Sequence, residues 1–161
     1  MSINKALFTS NKDDWFTPKN VLDLVEMVDD IHLDPCYNYD SIVDANITYC
    51  SAGLDVPWRS HGLGLVFCNP PYSQISEWAN KIDLEARSGT ELIALIPART
   101  DTRWFRCFYD STYVLAFWHG RIRFIGGEHG APFPSVLIYA GNRRKRFCDV
   151  FGGVASCLVK P

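Results

Sequence analysis

The five residues Gly64 to Cys68 (GLVFC) are a short apolar run, and the chain leaves them directly through Asn69-Pro70-Pro71-Tyr72. A run this short, bounded by glycine and proline, reads as a strand buried on both faces. Glu91 to Ile96 (ELIALI) has the same character. Strands without polar alternation need cover above and below, as in a parallel sheet flanked by helices. Thr17-Pro18 predicts a helix start, with Thr17 as N-cap and Pro18 at the first helical position. Val21, Leu24, Val25 and Val28 follow at helical spacing, and Asp29-Asp30 closes the helix. Ile31 to Asp34 predicts a strand, with a fainter one around Ile47-Thr48-Tyr49. Ile75, Trp78, Ala79 and Ile82 predict a second helix stopped by Gly89, and Thr102 to Tyr109 a third. Tyr113 to Trp118, Arg121 to Ile125 and Ser135 to Tyr139 predict three strands, with Gly126-Gly127 and Asn142 to Lys145 as turns and loops. Strand–helix alternation followed by strands argues an α/β fold: a mostly parallel sheet with an antiparallel C-terminal edge.

A length of 161 residues fits one domain. We read residues 1–14 as a polar N-terminal tail and 15–161 as the single domain. No apolar run approaches a membrane span, and the first residues lack the apolar stretch of a signal peptide, so a cytoplasmic protein with no membrane partner is expected. The net charge of -2 excludes a strongly basic nucleic-acid coat but leaves room for a local basic patch. The six cysteines, at 36, 50, 68, 107, 148 and 157, include no C-x-x-C pair. Reduced thiols are expected, with no metal site. Neither His61, His119 nor His129 has metal-ligand spacing, and His32 falls within a predicted strand.

Ligands on such sheets bind beyond the carboxyl ends of the strands. Two polar signatures sit there, Asp34-Pro35-Cys36 and Asn69-Pro70-Pro71-Tyr72. A chain of this length would carry N-P-P-Y by chance on the order of once in a thousand sequences. Two prolines fix two φ angles and remove two donors, leaving carbonyl oxygens to accept. The Asn69 side chain adds a second acceptor. Two adjacent acceptors suit an exocyclic amino group, whose nitrogen lone pair is drawn out of conjugation when both of its protons are held. Tyr72 is placed to stack on a planar base. Arg99, Arg103 and Arg106 share a helical face if the helix starts early, and Arg121 and Arg123 share a strand face, giving candidate phosphate contacts. Arg143 to Arg146 reads as a charged solvent loop.

Asn69-Pro70-Pro71-Tyr72 after an apolar strand resembles the catalytic motif of S-adenosylmethionine-dependent DNA adenine-N6 methyltransferases. The wider order of blocks resembles the small phage Dam-like family over roughly residues 14 to 140: Asp14-Trp15-Phe16-Thr17-Pro18, Leu33-Asp34-Pro35-Cys36, Gly53-Leu54-Asp55 with Trp58, Asn69 to Ser73, Ile96 to Thr102, and Gly120 to Phe124. The resemblance implies a Rossmann-like methyltransferase fold of reduced size, S-adenosylmethionine as cofactor and DNA as partner, acting as a monomer or homodimer in a bacterial host cell. It implies that Asn69 and the Pro70 carbonyl hold the adenine amino group, that Pro71 stiffens the turn and that Tyr72 stacks on the base. It further implies cofactor contacts from Trp15, Thr17, Pro18, Asp34, Pro35, Cys36, Asp55 and Trp58. With DNA as partner, the charge pattern noted above makes Arg99, Arg103, Arg121 and Arg123 the expected DNA contacts. The glycine-rich loop expected after the first strand is absent, since Tyr37-Asn38-Tyr39-Asp40 stands there. Two other readings fit parts of the pattern. The same turn serves methyltransferases acting on RNA adenine or protein glutamine, and the missing glycines fit a DNA-binding domain that has lost catalysis.

Overall fold

The computed structural model describes Asp13 and residues 15–161. The expected tail, apart from Asp13, lies outside the described residues. Among the described residues, three α-helices and seven strands follow in the order α1 (Lys19–Val28), β1 (Ile31–Asp34), β2 (Ile47–Thr48), β3 (Leu65–Cys68), α2 (Ile75–Arg87), β4 (Leu92–Pro97), β5 (Val114–Trp118), β6 (Ser135–Ala140), α3 (Arg144–Phe151) and β7 (Ala155–Val159). The strands form one sheet in the order β2-β1-β3-β4-β6-β5-β7. β2, β1, β3 and β4 run parallel, and β6, β5 and β7 add antiparallel.

Side-chain alternation sorts the core into two layers. Leu65, Phe67, Ile93, Leu95, Leu137 and Tyr139 point to one face, under α1 and α3. Val66, Cys68, Leu92, Ala94, Ile96 and Ile138 point to the other, under α2 and the 3-10 turns at Trp104–Tyr109. Every residue of β3, β4 and β6 is buried, which is why these strands carry no polar alternation. No described helix is long and apolar enough to cross a membrane.

Several elements differ from the sequence expectation. Pro18 occupies the cap position of α1 with no side-chain cap bond, because the Thr17 hydroxyl is used elsewhere. Arg121 to Ile125 is not a strand. It alternates exposed Arg121 and Arg123 with buried Ile122 and Phe124, but its one β-bridge among the described residues runs from Ile125 to Phe16, beside a bond from the Ala131 N–H to the Ile122 carbonyl. The expected helix at Thr102 to Tyr109 tightens to 3-10 geometry over Trp104–Tyr109. Arg143 to Arg146 is not a loop: α3 begins at Arg144 and buries Phe147 and Phe151, with the Phe147 ring stacked on Tyr139 at 4.9 Å. The final strand β7 was not expected.

The loop between β2 and β3 is fastened to α2 by a buried ion pair. Lys81 and Glu85 meet at 2.7 Å with both side chains almost fully buried. Glu85 also accepts the Trp58 backbone N–H and the Thr90 hydroxyl, while Lys81 donates to the Val56 carbonyl. Removing one partner of such a pair leaves an uncompensated charge in the core. Glu85→Ala should lower stability by about 3–5 kcal/mol in urea unfolding. Glu85→Gln also leaves Lys81 without its anion but keeps an acceptor for the Trp58 N–H, so it should lose less than Glu85→Ala; equal losses would contradict the role given to the acceptor.

Candidate active site

The chain leaves β1 toward β2 on one side, whereas β3 leads to β4 on the other. That reversal opens a crevice beyond the carboxyl ends of β1 and β3. A pocket of about 280 Å3 occupies it. Asp34, Pro35 and Cys36 enter it from the end of β1, Asn69 and Pro71 from the end of β3, and Trp15, Phe16 and Thr17 from the segment before α1. The loop after β2 closes the wall with Gly53 and Leu54. Gly53 is there because nothing larger fits: a Cβ would lie 1.7 Å from the Pro35 carbonyl oxygen. That close approach is between two protein backbones, Gly53 lying against Pro35 at the end of β1.

Asp34 is the buried charge of the pocket, 4% exposed. Its carboxylate accepts the Cys36 backbone N–H at 3.0 Å. Burial pushes the carboxyl up to about 6, against the opposing pull of that hydrogen bond. Among the described residues no lysine or arginine pairs with it. The Cys36 and Cys68 sulfurs lie 3.7 Å apart. Burial, the Cys68 thiol and the Asp34 carboxylate push the Cys36 thiol well above its ordinary range, so it stays protonated and is no nucleophile at neutral pH.

The Asn69 side chain is held at every polar atom. Its amide nitrogen donates to the Trp15 carbonyl at 2.6 Å and to the Thr17 hydroxyl at 2.9 Å. Its oxygen accepts the Tyr72 hydroxyl at 3.0 Å. Tyr72 also reaches the Leu95 carbonyl at 3.3 Å, and its ring packs edge-on against Phe124 and Phe133. Burial keeps that hydroxyl protonated and donating. The next residue, Ser73, donates its backbone N–H (3.0 Å) and hydroxyl (2.7 Å) to the Asp13 carboxylate.

The residues named from the sequence divide accordingly. Trp15, Thr17, Asp34, Pro35, Cys36, Asn69 and Pro71 share the pocket wall. Pro18, Pro70 and Tyr72 are not among its lining residues, and the Tyr72 ring, expected to stack on a base, packs edge-on against Phe124 and Phe133. Trp58 does not reach it: at 1% exposure it is a core residue, and its indole N–H donates to the Gly53 carbonyl at 2.8 Å. Asp55 lies in a separate shallow cleft with Lys81, Leu84 and Ser88. The site residues named from the sequence leave out Phe16, Gly53, Leu54, Gln74 and Trp78, among others on the wall. Gly53 had a legible signal as a glycine in a polar loop; Trp78 reads as helix core, which it also is.

β5 runs in the same direction as β4, so its carboxyl end opens on the pocket's edge of the sheet. Arg99 and Arg103 follow β4, and Arg121 and Arg123 follow β5, so all four emerge on that edge. Among the described residues these four and Arg106 make no ion pair. By contrast, Arg59, Arg87, Arg143, Arg144 and Arg146 are bound to carboxylates or carbonyls elsewhere on the molecule.

No curated protein and no solved structure matches the chain. A family model described as DNA N-6-adenine-methyltransferase (Dam) matches residues 4–136. That span takes in the pocket, the Asn69 turn and all four arginines of its edge, and on it the chain belongs to the DNA N-6-adenine-methyltransferase (Dam) family.

Proposed function

We propose that the chain methylates N6 of an adenine rotated out of the DNA duplex, with S-adenosylmethionine as methyl donor. The observation that carries this reading is the pairing, in one pocket, of a buried carboxylate lacking a cation with the amide-and-proline turn at Asn69. S-adenosylmethionine, when bound, supplies an electrophilic methyl group for direct displacement by an amine. Its ammonium group suits Asp34, whose buried charge has no cationic partner among the described residues. Trp15, Phe16, Pro35 and Leu54 offer apolar wall to the rest of such a molecule.

The amine is the task of Asn69. A carbonyl oxygen has two lone pairs, and Tyr72 occupies one. The other remains for one N–H of the target, and the second falls to the carbonyls of the Pro70-Pro71 turn, of which Pro71 lines the pocket. These acceptors stand preorganised, so they polarise the amine without reorganising during the reaction. The target atom lies inside the duplex, so the base must rotate out at a cost of a few kcal/mol. Phosphate contacts from Arg99, Arg103, Arg121 and Arg123 supply binding energy around that rotation. The single domain suits a cytoplasmic DNA-modifying enzyme working as a monomer or homodimer.

The direct test is incubation of unmethylated DNA with methyl-labelled S-adenosylmethionine, followed by nucleoside analysis. The label should appear only in N6-methyldeoxyadenosine; label in RNA or protein alone would overturn the reading. Asn69→Ala should lower turnover by about 10²–10³-fold, the range for losing one preorganised electrostatic contact. Cofactor affinity should fall only a few-fold, because the wall residues Trp15 and Thr17 lose an anchor.

Asp34 sets the pH dependence. Its pKa in the folded chain, about 6, lies above the ordinary value of 3.8, so folding favours the neutral form. The free protein is therefore stabilised by this group less and less as pH rises from about 4 to 6, a cost on the order of 3 kcal/mol when complete. Asp34→Asn should raise the ligand-free melting temperature at pH 8, with the gain vanishing at pH 4. In the wild type, cofactor affinity should rise with pH through 6 as the carboxylate ionises; in Asp34→Asn it should be weak and flat. A variant less stable than wild type at pH 8 would contradict the assignment.

A further inference from the structure

We infer that Thr17 is a positioning residue for the Asn69 amide, and that Asp13 secures the same segment from its other end. The inference rests on the function proposed above and adds to it how the acceptor is aimed. A carboxamide is nearly symmetric in shape, and a half-turn would present its NH2 to the target amine, donor against donor. The environment decides against that. The amide nitrogen faces the Trp15 carbonyl and the Thr17 hydroxyl, and a carbonyl can only accept. The amide oxygen faces the Tyr72 hydroxyl. Thr17 is 2% exposed and caps no helix, so its hydroxyl is committed to Asn69.

The holding segment is also pocket wall. Trp15, Phe16 and Thr17 line the same cavity as Asp34. Asp13 grips Ser73 just beyond the proline turn, through both its N–H and its hydroxyl. The Phe16 carbonyl accepts the Ile125 N–H at 2.9 Å, which ties the segment to the stretch bearing Arg121 and Arg123. A ligand that packs on this wall orders the residues that aim Asn69, so occupancy of the pocket and readiness of the acceptor are linked.

Thr17→Val keeps the bulk of the wall and removes the acceptor. Its turnover on DNA should fall about ten- to a hundred-fold. Its dissociation constant for S-adenosylmethionine, measured by calorimetry, should stay within about threefold of wild type. Exchange of the Asn69 side-chain amide protons, followed by ¹⁵N NMR without ligand, should accelerate by about tenfold or more. Thr17→Ser should restore turnover and slow exchange. Unchanged turnover and exchange in Thr17→Val, or a loss confined to cofactor affinity, would overturn the inference. If Thr17→Val does not fold, Asp13→Ala at the exposed end of the segment replaces it: faster Asn69 exchange with slower turnover supports the inference, and no change in either contradicts it. If the wild type methylates no adenine in DNA, the proposed function fails, while the exchange measurement still decides whether Thr17 holds the amide.

Discussion

The parallel pairing of β1 with β3 is the constraint on which the pocket depends. Leu33 stands opposite Val66, so Asp34 and Asn69 leave neighbouring strands at the same edge of the sheet. Strands in such a pair lie about 4.8 Å apart, which sets a carboxylate and a carboxamide on facing walls of one crevice. The burial of β3 on both faces by two core layers makes this spacing rigid. Without it, Asp34 and Asn69 would not line one pocket.

The site is built at the expense of the free fold. Burial raises the Asp34 carboxyl to about 6, with one backbone N–H opposing the shift. A hydrophobic or amide side chain would sit there more comfortably. In the proposed function a ligand's cation would stand beside it, so the buried carboxylate and the proposed activity are one feature. The Asn69 turn shows the opposite economy: every polar atom of the amide has a partner, and one oxygen lone pair remains.

The sheet was legible because GLVFC and ELIALI are buried on both faces and so are apolar without interruption. The Asn69 turn was legible because prolines after a strand fix geometry by covalent means, which needs no tertiary context. The role of Thr17 was not: a threonine before Pro18 satisfies local capping rules, and only a contact 52 residues away in sequence reassigns its hydroxyl. α3 was hidden because Arg143 to Arg146 dominate its first turn, leaving Phe147 and Phe151 as its only two buried positions. Arg121 to Ile125 alternates like a strand, yet alternation requires only two environments, and the bridge to Phe16 provides them without a ladder. Trp58 and Asp55 lie near the pocket in sequence, but the indole turns inward to close the Gly53 loop.

The decisive measurement is a crystal structure with S-adenosylhomocysteine bound. Its amino group should lie within about 3 Å of the Asp34 carboxylate, with the Asn69 oxygen facing the sulfur across the same cavity. A ligand seated elsewhere on the sheet, or an Asn69 oxygen turned away from the sulfur, would contradict the proposed site.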